Sequence, residues 1–247
     1  MLELQGITKA YDAYKVVDNF DFQVQEGELR CLLGPNGAGK TTALDLITGQ
    51  QKLTHGTVIF DNKDVSKWSE QARARAGIGR KFQVPAVFKE LTVYENLEVA
   101  SSRIHNPLRN IVRFRDRIDK SRYEEVIELV NLKDRVKERA GYLSHGETQW
   151  LEIGMVLMQN PRLFLMDEPT AGMTVQEIHK TSVILNRLKG THTMVVVAHE
   201  MTFVREIANF ITVMHMGRTL AQGQFKEIEE NETVKQVYLG RKRVGHA

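Results

Sequence analysis

Eight residues, Gly34-Pro35-Asn36-Gly37-Ala38-Gly39-Lys40-Thr41, constrain the fold more than any other stretch. They match G-x-x-x-x-G-K-[ST], and they stand between the apolar run Leu29–Leu33 and the helix-like Thr42-Ala43-Leu44-Asp45-Leu46-Ile47. A strand, a glycine loop and a helix in that order make the match meaningful. The glycines let successive N–H groups turn inward around a phosphate, and the helix adds the positive end of its dipole. Lys40 then brings a cation to the β- and γ-phosphates, and the Thr41 hydroxyl reaches Mg²⁺.

Two further strand ends carry chemistry. Asp167-Glu168 closes the apolar run Leu163–Met166, and His199 closes Met194–Ala198. Short continuous apolar runs of this kind fit parallel strands covered on both faces by helices, whose C-terminal edge is where such sheets bind ligands. One carboxylate suits Mg²⁺, and its neighbour suits an attacking water. Lys40, Asp167-Glu168 and His199 are therefore expected on one sheet edge.

The beginning of the chain reads differently. Leu2 and Leu4, then Phe20, Phe22 and Val24, alternate with polar residues, which predicts an antiparallel layer with one wet face; Leu29–Leu33 follows within the same strand-rich first sixty residues. From residue 84 to 143 the period becomes helical. Ile104, Leu108, Ile111 and Ile118 share one stripe, Tyr123, Val126, Ile127 and Val130 another, and Ser121-x-x-Glu124 has the form of a capping box opening the second helix. The expected organisation is an α/β core, 1–83 plus 144–247, with a helical insertion at 84–143.

Composition removes competing classes. The 247 residues are 42% hydrophobic, and no apolar run approaches the length of a membrane span. Met1–Gly6 lacks the pattern of a secretory signal, and the single Cys31 excludes a disulfide framework or cysteine-based zinc site, so a reducing compartment fits best. The net charge of +3 resolves into +4 over 109–122 and +3 at Arg241-Lys242-Arg243 on a body of −4. Two separate basic patches do not make the continuous face of a nucleic-acid binder.

Between the insertion and the carboxylate strand stands Leu143-Ser144-His145-Gly146-Glu147. Ser144-x-x-Glu147 is a capping box in its own right. In this position it also resembles the LSGGQ signature of ATP-binding cassette (ABC) ATPases, and the resemblance extends in order along the whole chain. It implies a P-loop NTPase cassette with a RecA-like, mostly parallel core sheet, an N-terminal antiparallel β layer and an inserted helical subdomain. Tyr11 resembles the aromatic that stacks on adenine, residues 34–42 (through Thr42) the phosphate loop, and Gln83 the glutamine that senses Mg²⁺ and water. Asp167 resembles the metal-holding carboxylate, Glu168 the catalytic one and His199 the γ-phosphate switch. Two cassettes would bind head to tail, Ser144 and Gly146 of one closing over ATP on the other.

Gly79-Arg80-Lys81-Phe82-Gln83, Thr92-Val93-Tyr94-Glu95-Asn96-Leu97 and Ala171-Gly172-Met173 resemble the importer branch serving branched-chain amino acids and urea. The stretches 143–154 and 167–174 are most similar to the urea subgroup. The resemblance implies uptake of urea or a similar small amide, with branched-chain amino acids as the alternative and a soluble, non-transport ABC ATPase or a small-molecule kinase as weaker ones. It further implies a second cassette subunit, a paralogue, two transmembrane permease subunits docking on the insertion, an external solute-binding protein and no nucleic acid. The place would be peripheral, on the cytoplasmic face of the inner or plasma membrane. Three positions depart from the pattern: His145 and Glu147 in the signature, and Thr174 where the family carries aspartate. Glu147 would need an outward rotamer or the capping-box fold-back to keep its charge from ATP.

Overall fold

The computed structural model describes residues 1–81, 87–101 and 119–239. Alternation in the first segment produces the expected layer: β1 (Leu2–Tyr11) pairs antiparallel with β2 (Tyr14–Val24) and β4 (His55–Phe60), and β5 (Lys63–Asp64) completes the order β2-β1-β4-β5. Phe20, Phe22 and Val24 are buried while Asp21 and Gln23 face water.

Strand β3 (Leu29–Leu33), the expected apolar strand before the phosphate loop, lies outside that layer. All five of its residues are buried, and it pairs in parallel with β8 (Thr193–Ala198) on one side and β9 (Phe210–His215) on the other. A run apolar on both faces belongs where both faces are covered. The second sheet has the order β10-β9-β3-β8-β7-β6, with β6 (Ile78–Lys81), β7 (Leu163–Asp167) and an antiparallel edge strand β10 (Arg218–Gly223).

One hydrophobic core joins the two sheets. Leu2, Leu4, Phe20 and Phe22 cluster with Leu44 and Ile47 of α1 (Lys40–Thr48) and with Leu163, Leu165, Val195 and Val197. Each fully buried side chain of this size contributes about 1.5–3 kcal/mol, so α1 is held firmly on the sheet. Its last turn is fastened by Arg73 of α2 (Glu70–Arg75), which is 2% exposed and donates to the carbonyls of Leu46 (2.6 Å), Ile47 (2.9 Å) and Ser66 (3.0 Å). A buried guanidinium there meets both orphan carbonyls and the negative end of the helix dipole.

The chain forms two compact units: Met1–Arg80, Arg162–Pro169 and the chain from Leu188 on make the first, and Lys81–Pro161 with Thr170–Arg187 the second. The second unit thus includes more than residues 84–143. Its helices are α3 (Val93–Ser101), α4 (Lys120–Leu129), α5 (His145–Met158) and α6 (Val175–Leu188). Trp150 Nε1 donates to Thr181 Oγ1 at 2.9 Å, tying α5 to α6. Gly154 lets α5 approach its neighbours closely, since a Cβ there would lie 3.2 Å from Leu97 and 3.4 Å from Val126 and Val130.

The cap of α4 differs from the expected Ser121–Glu124 box. Asp119 accepts from the Ser121 and Arg122 amides at 3.1 and 3.3 Å, so the helix begins before Ser121. A carboxylate at the N-cap satisfies the same donors and also complements the dipole. The stripe from Ile104 to Ile118, most of the basic 109–122 segment and the 241–243 cluster lie outside the described residues. Among the described residues, no helix is long and apolar enough to cross a membrane.

Candidate functional site

Register sets the site. Leu33 of β3 pairs with Ala198 of β8, and Asp167 of β7 pairs with Val197, so three strands end abreast. Gly34, Glu168 and His199 follow those ends, as the sequence predicts.

Between β3 and α1 the loop turns on Gly37 (φ 78°) and Gly39 (φ 102°). Gly39 is sterically required, because a Cβ there would stand 2.6 Å from the Val16 carbonyl, whereas Gly37 opens onto space with nothing within 4 Å. Ala38 is buried, Pro35 partly so, and Asn36 and Thr41 are exposed. Lys40 is buried, with Nζ 2.8 Å from the Gly34 carbonyl and 3.0 Å from that of Pro35. Helix α1 has no side-chain cap and no acidic residue in its first turn. Its first N–H groups and the positive end of its dipole thus face the loop with no acidic residue in the helix's own first turn to occupy them, a ready receiver for phosphate. Thr42 follows in that first turn.

Asp167 is 1% exposed, and its Oδ1 has no hydrogen-bond partner among the described residues. Its carboxyl is pushed above the ordinary range by burial, with Glu168 adding repulsion, against the opposing pull of the Thr41 hydroxyl, Arg80 and Lys40. A buried carboxylate oxygen with an unused lone pair beside a hydroxyl fits a hard, oxygen-seeking cation such as Mg²⁺. Glu168 has φ +48°, unusual for a residue with a side chain, and its amide donates to the Val197 carbonyl at 3.0 Å. Its Oε1 lies 3.7 Å from His199 Nδ1. Tyr11 is half exposed, its hydroxyl on Gln51 and the Lys9 ammonium 4.8 Å from its ring centre. Gln83 lies outside the described residues.

Two neighbours of this site escaped the motif reading. Arg80 reaches Asp45 Oδ1 at 2.5 Å and Asp167 Oδ2 at 3.4 Å, so it balances the buried carboxylate; it lies in the quoted stretch 79–83, but no spacing rule gave it a partner. Tyr238, on α7 (Glu232–Leu239), places a buried hydroxyl by the Gly34 N–H, and burial pushes its pKa up to about 12. Nothing local to residue 238 signals that contact.

In the second unit, the turn at 144–147 forms a full capping box. Ser144 Oγ accepts from Glu147 N at 3.2 Å, and Glu147 Oε2 accepts from Ser144 N at 2.9 Å. Of the two arrangements open to Glu147, it takes the capping-box fold-back, with Arg135 Nε 3.3 Å from its other oxygen. Thr174 likewise keeps a cap on α6, exchanging bonds with Glu177 at 2.9–3.3 Å.

Comparison with known proteins places this geometry. The family model described as ABC transporter matches residues 17–171. The high-affinity branched-chain amino acid transport ATP-binding protein BraF of Pseudomonas aeruginosa is 33% identical, over 97% of this chain and 98% of its own. LivG of Escherichia coli strain K12, of the same description, is 30% identical over 97% and 98%. Among solved structures, the ADP conformation of MJ1267, an ATP-binding cassette of an ABC transporter, superposes with a TM-score of 0.83 at 30% identity, covering 97% of this chain and 98% of that one. The chain belongs to the ABC transporter family and is one of its ATPases, with the cassette's mixed α/β fold.

Proposed function

We propose that this ATPase powers an importer of branched-chain amino acids. The observation that carries the solute is the match to BraF along nearly the entire length of both chains. Urea, the first reading of stretches 143–154 and 167–174, is set behind it, because BraF and LivG are both named for branched-chain amino acids.

In this reading Tyr11 stacks on adenine, and the loop 34–42, through its N–H groups other than at Pro35 and with Lys40, wraps the β- and γ-phosphates. Thr41 and Asp167, with Gln83, would hold Mg²⁺, which when bound would supply positive charge against the phosphates. Glu168 orients the attacking water and accepts its proton, and His199 contacts the γ-phosphate. Ser144 and Gly146 serve ATP held on a second cassette subunit, a paralogue. Two permease subunits and an external binding protein complete the assembly, with this chain peripheral on the cytoplasmic face.

Isolation of the native complex, reconstitution in vesicles and uptake of labelled leucine against labelled urea test the solute. ATP-dependent leucine uptake is expected; urea uptake alone overturns the assignment. Glu168→Gln in the same complex should keep ATP binding and lose hydrolysis, and retained turnover would remove Glu168 from its role.

A further inference from the structure

The signature turn is already in contact with an anion of its own chain. Glu177, in the first turn of α6, takes the Thr174 N–H and hydroxyl on Oε2, each at 2.9 Å. The carboxylate also reaches sideways to the buried Gly146. The Thr174 amide and hydroxyl hold its pKa below the ordinary value, and the Gly146 N–H and the nearby His145 reinforce them. A Cβ on Gly146 would collide with Glu177 Oε1. On the other side of the turn, His145 Nε2 lies 2.9 Å from the Ala171 carbonyl and would stand 3.2 Å from a Cβ on Gly172. A carbonyl only accepts, so Nε2 carries the proton. Residues 145–146 are thus clasped at two points to 171–177, within one compact unit.

We propose that Glu177 is a built-in surrogate for phosphate at Gly146, and that the terminal phosphate of a nucleotide on the second subunit engages the signature turn by displacing it. The inference rests on the assignment of Ser144 and Gly146 to ATP on that subunit. Gly146 lies in the first turn of α5, where the helix presents N–H groups and partial positive charge. A carboxylate and a phosphate carry the same sign, so they cannot both sit against Gly146 at close range. Closure over ATP therefore swings Glu177 aside, while the His145 bond keeps the 171–174 segment attached to the turn. ADP, lacking the terminal phosphate, has no means to displace it.

The test is ATPase activity of the assembled transporter against ATP concentration. Glu177→Gln removes the charge but keeps the shape and the cap, and Thr174→Ala weakens the cap but keeps the charge. With Glu177→Gln the half-saturating ATP concentration should fall about two- to fivefold, the effect of one charge at a helix N-terminus, with ADP affinity unchanged. With Thr174→Ala it should not fall. An unchanged or raised half-saturation in Glu177→Gln, or an equal fall in both variants, overturns the proposal. Ser144→Arg separates the two levels of argument. If it blocks turnover while Glu177→Gln has no effect, only the surrogate is lost; if Ser144→Arg is harmless, the underlying reading of the turn fails.

Discussion

Helices α1 and α5 both begin at glycine-containing turns assigned to phosphate, yet their N-termini are built in opposite ways. The first turn of α1 contains no acid and no side-chain cap. That of α5 is closed by the Ser144–Glu147 box and approached by Glu177. An open N-terminus offers its donors at once, at the cost of leaving them to water when no ligand is bound. A closed one is stable alone and yields its donors only to a stronger competitor. The two ends of one cassette thus differ as a standing receiver differs from one that waits for a partner.

The most severe way to break this contrast is at the open end. Lys40→Ala, which removes the cation among the loop carbonyls, should lower ATP turnover by about 10²–10⁴-fold, measured by phosphate release from the assembled transporter. Behind the same helix, Arg73→Met leaves the Leu46, Ile47 and Ser66 carbonyls without their donor and should cost about 2–4 kcal/mol in urea unfolding. A smaller effect is expected at the closed end: Ser144→Ala should cost about 1 kcal/mol of stability, the usual value of an N-cap, even without nucleotide. Glu147→Gln still accepts the Ser144 N–H, so turnover should stay within a few-fold of the parent.

Acid offers the mildest test. Glu177's pKa is lowered by folding from an ordinary 4.5, so its contribution is complete above that pH and is lost as pH falls through the folded value. Thr174→Ala should flatten that acid loss, read by thermal melts between pH 3 and 6. The first turn of α1, with no acid, has no such titration of its own.

Much of the site was legible because its determinants are local. The phosphate loop, the Asp167-Glu168 tip and His199 each stand directly after a run of apolar residues, and parallel register then brings them abreast. The Ser144–Glu147 and Thr174–Glu177 caps also lie within four residues of sequence. Contacts between distant positions were not legible. Arg80 to Asp167 spans 87 residues, and Trp150 to Thr181, which draws α6 into the second unit, spans 31. Asp119 won the cap of α4 over Ser121 by the position of the first turn, which periodicity locates only within a residue or two. β3 joins the parallel sheet rather than its sequence neighbours β1 and β2 because it is buried on both faces.

The left-handed backbone of Glu168 has a consequence for how such a chain can change over generations. A side chain at φ +48° costs about 1 kcal/mol or more, and glycine or asparagine at that position would recover much of it. Neither supplies a carboxylate of the same reach. Selection for heat resistance alone would therefore favour replacements at the very residue assigned to deprotonating water. A stabilised but inert descendant of this cassette is expected to carry its first lesion there.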